Sequence, residues 1–178
     1  MKNSIAERIR DYLIIYPPFD LLEPKKLLEI SEDVIIIYLE KGDTLFNAGD
    51  SANEHFYMVR DGAISLNHTK NGTKEVVTIS DTGDIFGVRP LITQENYKLT
   101  ATAHEESIIY AIPIKTFQEA AENNSKVFKY LITAFATNAY DSYTARENQE
   151  IFVDYLPNNP QDIANFQTAN YTKNPVTC

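Results

Sequence analysis

Tryptophan is absent from the chain, and cysteine occurs once, at Cys178. A single cysteine makes no intramolecular disulfide and no cysteine-based metal site, so the chain reads as a protein of a reducing cytoplasm. No uninterrupted apolar run is long enough to span a bilayer. The opening residues Met1-Lys2-Asn3-Ser4-Ile5-Ala6-Glu7-Arg8 lack the apolar stretch of a secretory signal. Basic residues are in deficit: 16 Lys and Arg stand against 25 Asp and Glu, for a net charge of −9. Such a chain repels phosphate backbones at long range, which argues against non-specific nucleic-acid binding but leaves room for a local anion pocket.

Catalytic patterns are missing as well. There is no Gly-x-Ser-x-Gly elbow, no Walker loop and no Rossmann glycine pattern. His55, His68 and His104 stand apart, without metal-ligand spacing, and read as surface or strand-edge residues. Asp20, Glu23, Glu105, Glu106 and Glu119 read as solvated faces or caps. The expectation is a protein that is not an enzyme, with no metal and no resident cofactor.

Three parts follow one another along the chain. Residues 1–32 read as a helical segment: Ile5, Ile9, Leu13 and Tyr16 recur at helical spacing, Pro17-Pro18 stops the run, and a second helix opens near Glu23-Pro24. Residues 33–113 read as strands. Val34–Tyr38 is β-branched and aromatic, and the strand-like runs Phe56–Val59, Ala63–Leu66, Val76–Ile79 and Ser107–Ile112 follow it. All six glycines punctuate this region, at positions 42, 49, 62, 72, 83 and 87. Many short strands at this spacing predict an antiparallel sandwich, jelly roll or barrel.

Residues 114–147 return to helix, with Ser125 as the expected N-cap of a long one. Val127, Phe128, Leu131, Ile132, Phe135 and Ala139 form one apolar stripe on it. That stripe packs on the strands or, in part, serves a moving or dimer-forming helix. Residues 148–178 lack periodicity, with a loop at Pro157-Asn158-Asn159-Pro160, and read as a linker.

Three glycine-bearing words stand in order: Lys41-Gly42-Asp43-Thr44-Leu45-Phe46-Asn47-Ala48-Gly49-Asp50, then Phe56–Ile64, then Gly83-Asp84-Ile85-Phe86-Gly87. Over roughly residues 15–147 the chain resembles the cyclic nucleotide-binding domain family. The resemblance implies an α+β, mainly β fold, an antiparallel β-roll or double-stranded jelly roll flanked by N-terminal and C-terminal helices. It also places a phosphate-binding cassette at Phe86, Gly87, Val88, Arg89, Pro90 and Leu91, continuing through Tyr97, Lys98, Leu99 and Thr100. In such a cassette a strand ends, glycine turns the backbone, and the free amides of a short helix meet an anion.

Departures from the family pattern fall on its charged anchors. Val88 stands where the family usually has a ribose-binding glutamate, and Tyr97 where it has the arginine that pairs with the phosphate. Arg89 and Pro90 replace small or apolar residues, and proline removes one amide donor. Lys98 is cationic, but strand alternation turns it to the other face. Thr100 matches a position where the family often has threonine near the base. Two readings stay open: cAMP or cGMP binds with Arg89 or Lys98 rescuing the phosphate, or the pocket holds another ligand or none. Arg89 itself reads either as an anion ligand or as half of a salt bridge. Tyr97 reads as closing an apolar pocket or stacking on a base.

The cassette words and the tail Tyr171–Cys178 are similar to N-terminal modules of bacterial signalling proteins that continue into paired CBS domains and a nucleotidyltransferase-like domain. The implied role is a regulatory sensor. A small molecule, a cyclic nucleotide or other nucleotide, would shift the helix near residues 125–149 and so signal to those C-terminal partners. A ligand-free dimerisation or docking scaffold, homodimeric through that helix, is the alternative. A transcription regulator of the catabolite-activator type ranks last, because residues 148–178 offer no helix-turn-helix pattern.

Overall fold

The computed structural model describes residues 2–145 and 155–156, with side chains from residue 4 to residue 137. Helix α1 (Lys2–Leu13), a 3-10 turn (Phe19–Leu21) and α2 (Pro24–Asp33) precede the strands. The strands are β1 (Ile35–Leu39), β2 (Thr44–Phe46), β3 (His55–Asp61), β4 (Ala63–Lys70), β5 (Thr73–Asp81) and β6 (Ile85–Phe86). A short helix α3 (Arg89–Thr93) leads to β7 (Thr100–Ala103) and β8 (Ser107–Pro113). Helices α4 (Ile114–Ala121) and α5 (Ser125–Ala145) follow, and β9 (Tyr155–Leu156) comes last. The result is the expected α+β fold, mainly antiparallel β, with helices on either flank.

Two antiparallel sheets make the roll, ordered β1-β8-β3-β6-β9 and β2-β7-β4-β5. Asn71 and Gly72, both at positive φ, close the β4–β5 hairpin. That conformation is what a two-residue turn needs to follow the twist of its strands.

The first sheet is covered on both faces, and this explains why β3 and β8 read as continuous apolar runs. Along β3, Phe56 and Met58 enter one core cluster while Tyr57 and Val59 enter another. Along β8, Tyr110 and Ile112 join the first cluster, Ile109 and Ala111 the second. The first cluster is the joint between sheet and helices, built with Ile9, Leu13, Phe19, Leu27, Ile30, Phe117 and Val127. The second fills the inside of the roll.

Helix α1 is clasped onto the sheet through Tyr12. Its hydroxyl donates to the carbonyls of Val59 and Arg60, both at 3.2 Å, and the Arg60 guanidinium lies 4.3 Å above its ring. Burial is the main cause that pushes the Tyr12 phenol up from its ordinary pKa. Of the helical stripe expected here, Ile9 and Leu13 are buried but Ile5 is exposed, and Tyr16 lies beyond the end of the helix.

One expectation is corrected and two gain detail. The N-cap of α5 is Asn124, not Ser125: its Oδ1 accepts from the amides of Lys126 and Val127, each at 3.2 Å. Those are the second and third helical amides, the ones left without an intrahelical partner. The apolar stripe on α5 also splits. Val127 and Ala134 are buried, with Leu131 and Phe135 packed against the same cluster, whereas Phe128 and Ile132 are 67% and 54% exposed. Ala139 and residues 146–149 lie outside the described side chains. Finally, the expected linker over residues 148–178 contributes β9, which pairs antiparallel with β6 at Ile85↔Leu156 and Phe86↔Tyr155. The remainder of that linker, with the CBS-like tail, lies outside the described residues.

Asn124 does a second job: its Nδ2 donates to the Leu21 carbonyl at 2.9 Å, tying α5 to the N-terminal segment. Asn124→Ala is expected to lower unfolding free energy by about 0.5–2 kcal/mol, the usual range for a lost N-cap. Urea denaturation of the two proteins checks this.

Candidate functional site

The candidate site begins where β6 ends. Gly87 has φ +74, and a Cβ there would approach Tyr57 Cδ2 to 2.9 Å. Both facts require glycine at this position. The backbone bends, Val88 takes the N-cap position without a side-chain cap, and Pro90 sits in the first turn of α3. Proline has no amide hydrogen, so this turn offers fewer donors to an anion.

The bend sorts the predicted residues into three places. Phe86 points into the roll, fully buried, with its ring centroid 5.5 Å from Tyr57 and 6.2 Å from Phe46. Tyr97 and Leu99 join it there. Tyr97 is 3% exposed and lies nearly flat on Phe46, the ring centroids 3.7 Å apart and the planes at 12°. The roll interior is therefore an aromatic box of Phe46, Tyr57, Phe86 and Tyr97, lined further by Leu66, Leu99 and Ile109.

Val88 and Leu91 go the other way, to the helix joint. Val88 is buried and lines a cavity of about 90 Å³ together with Ile85, Ile92, Phe117 and Phe135. The position where the resemblance implies a carboxylate thus packs as a hydrocarbon against the helices. Pro90 is buried as well.

The cations stay at the rim. Arg89 donates to the Glu95 carboxylate at 2.9 Å, as a partly exposed ion pair. Lys98 is exposed, between buried Tyr97 and buried Leu99, in the loop that leads into β7. Thr100 Oγ1 accepts the Ala48 amide at 3.0 Å.

The loop that carries Tyr97 is fastened to the loop after β2. The Tyr97 amide donates to the Asp50 carbonyl at 2.9 Å, and the Gly49 amide donates to the Tyr97 carbonyl at 2.8 Å. Asn96 Nδ2 adds a bond to the Gly49 carbonyl at 2.8 Å. These bonds hold the backbone of the loop in place.

Sequence reasoning missed Phe46 and Tyr57 as site residues. Strand alternation carried the signal for Tyr57, since Tyr57 and Val59 share one face of β3. Phe46 sits on a three-residue strand whose pairing with β7 shifts register between Thr44 and Phe46, and no period is readable there. Among the described residues no cluster of three His, Cys, Asp or Glu side chains could hold a metal ion. No helix there is long and apolar enough to cross a membrane.

This geometry has relatives. The sensor domain of the transcriptional regulator DNR from Pseudomonas aeruginosa superposes with a TM-score of 0.69 at 18% identity, over 84% of this chain and 99% of that one. A mutant regulatory subunit of a cAMP-independent protein kinase A from Trypanosoma brucei, bound to cAMP, gives 0.65 at 17% identity. It covers 80% of this chain and 53% of its own. The corresponding subunit from Trypanosoma cruzi, bound to guanosine, gives 0.65 at 14% identity over 88% of this chain and 54% of its own. The chain thus spans about half the length of these kinase subunits. No curated protein matches the sequence. The family model described as Cyclic nucleotide-binding domain matches residues 36–124, the stretch that builds the roll, the bend at Gly87 and α4, and the chain belongs to that family.

Proposed function

We propose that this chain is a regulatory, non-catalytic module of the cytoplasm whose roll takes a nucleoside in preference to a cyclic nucleotide. The stacked pair of Phe46 and Tyr97 carries this reading. An aromatic box recognises a planar base, and such stacking needs no charge on the ligand. A cyclic phosphate needs a cation, and the buried cluster inside the roll holds aromatic and aliphatic side chains in its place. Loss of a charge-assisted hydrogen bond costs about 1.5–3 kcal/mol, so two lost anchors weaken cyclic-nucleotide binding about a hundredfold or more.

The bound base takes the place of the Tyr97 ring on Phe46. Rotation of Tyr97 then shifts the balance between two arrangements of the roll and its helices. That change passes through α4 and α5 to C-terminal CBS and nucleotidyltransferase-like domains. The Trypanosoma cruzi subunit bound to guanosine lends support to a nucleoside in such a roll. A second reading, a ligand-free docking or dimerisation scaffold acting through α5, is favoured by one observation, the exposed pair Phe128 and Ile132.

Isothermal titration with guanosine, adenosine, cAMP and cGMP separates the two. The sensor reading expects saturable heat from at least one nucleoside, and weaker binding of both cyclic nucleotides. Silence from all four ligands removes the sensor and leaves the scaffold.

A further inference from the structure

Among the described residues, the buried serines and threonines are hydrogen-bonded with one exception. Ser31 donates to the Leu27 carbonyl at 2.7 Å, Ser65 to that of Thr102 at 3.1 Å, and Ser107 to that of Glu105 at 2.8 Å. Thr137 donates to the Thr133 carbonyl at 2.9 Å, and Thr102 Oγ1 accepts from Lys74 Nζ at 3.1 Å. Ser80 is the exception: it is 1% exposed, and its Oγ has no hydrogen-bond partner. A hydroxyl taken out of water with nothing in exchange is destabilising, so such a group in a native core calls for a reason.

Strand pairing turns this hydroxyl into the roll. Ser80 on β5 stands opposite Ile64 on β4, which in turn stands opposite Ala103 on β7. Residues directly opposite one another share a face of the sheet. Ile64 and Ala103 both belong to the cluster that fills the roll. The neighbouring row runs through Phe46, Ala101, Leu66 and Thr78. Ser80 therefore lies one row from the residue that carries the Tyr97 stack, two residues along the strand from Thr78, or about 7 Å.

We propose that Ser80 is the residue that recognises the sugar of a bound nucleoside, its Oγ hydrogen-bonding a sugar hydroxyl. This rests on the nucleoside reading of the roll given above. A base lying on Phe46 needs only a flat apolar partner, whereas the sugar it carries brings hydroxyls into the same chamber, one row away. A hydroxyl both donates and accepts, so two of them satisfy one another whichever way the proton points. Val88, where the resemblance implies a carboxylate for the ribose, packs against the helices and leaves the sugar to another residue. The unmet Ser80 hydroxyl is a cost that a sugar-bearing guest removes and a bare planar ring does not. It thus selects a nucleoside over a free base of the same shape.

Titration calorimetry of the full chain with adenosine and guanosine compares the parent with Ser80→Ala. The variant is expected to bind the parent's preferred nucleoside about fivefold more weakly, the loss of one net hydrogen bond. Its urea midpoint should equal or exceed the parent's, since the unliganded protein loses no bond. The 2′-deoxy, 3′-deoxy and 5′-deoxy forms of that nucleoside close the cycle. One of them should bind the parent about fivefold more weakly and lose nothing further in Ser80→Ala. Equal binding by parent and Ser80→Ala overturns the inference and leaves the nucleoside reading standing. A further loss in Ser80→Ala with each of the deoxy forms also overturns it, because the hydroxyl then serves the base. So does a variant less stable than the parent, in which the hydroxyl holds the fold. A parent that binds neither nucleoside removes the nucleoside reading and this inference with it.

Discussion

Tyr97→Arg is expected to bind cAMP at least about tenfold more tightly than the parent chain, the gain from one charge-assisted hydrogen bond to a phosphate. The tyrosine ring is buried flat against Phe46, at the position where the resemblance implies the phosphate-pairing arginine. An arginine there reaches the roll interior from a backbone already held by Asp50 and Gly49. Without ligand it is a buried cation that has also lost a ring stack, so the unliganded variant should be less stable by a few kcal/mol. Added cAMP should recover part of that loss, because a ligand that binds only the folded state raises its melting temperature. Titration calorimetry and melts with and without cAMP measure both effects. A folded variant whose cAMP affinity equals the parent's would mean that the roll excludes the nucleotide by shape, whatever its charge.

Val88→Glu supplies the carboxylate that the resemblance implies at this position, and it should not create a ribose ligand. The side chain at this position faces the helix joint, among Ile85, Phe117 and Phe135, and not the roll. A glutamate there brings an ionisable carboxyl into hydrocarbon, where its folded-state pKa rises above the ordinary value of about 4.3. A raised carboxyl pKa sets the sign. Below the unfolded-state pKa both states carry the proton, and the variant suffers only the cost of burying a neutral polar group. As pH rises past about 4.3 the unfolded chain releases its proton more readily than the folded one, so the relative penalty grows until the folded pKa is reached. The variant should therefore fall below the parent by about 2–4 kcal/mol more at pH 7 than at pH 4, the scale of a carboxylate held out of water. Urea melts of both proteins at the two pH values give this difference. Equal stability at pH 7, with tighter cAMP binding, would show that residue 88 can turn into the roll.

The two positions where the resemblance implies anchors thus differ in their surroundings, and only one was legible in the sequence. Position 97 was readable because Tyr97, Lys98 and Leu99 alternate apolar and charged just ahead of β7, and the loop keeps the lysine outside and the tyrosine inside. Position 88 was not, since the direction of a side chain after a glycine at positive φ depends on the turn, and no period survives it. The strands of the roll were legible from β-branched runs punctuated by glycine. What went unread was that β3 and β8 serve two cores, which only the covering helices reveal. On α5, spacing alone gave one apolar stripe; Val127, Leu131, Ala134 and Phe135 meet the helix-side cluster while Phe128 and Ile132 stay in water. The N-cap fell one residue from its expected place because Asn124 and Ser125 are both good caps and the chain gives no way to choose between them.

The alternation along β6 has a mechanical consequence. Phe86 belongs to the chamber where a base would sit, and its covalent neighbour Ile85 belongs to the compartment beneath the helices. No hinge or flexible arm is needed between the two, because the partition dividing them is one backbone thick. On the proposed function, a guest that displaced Phe86 on one side of that partition would also move the branched side chain of Ile85 on the other.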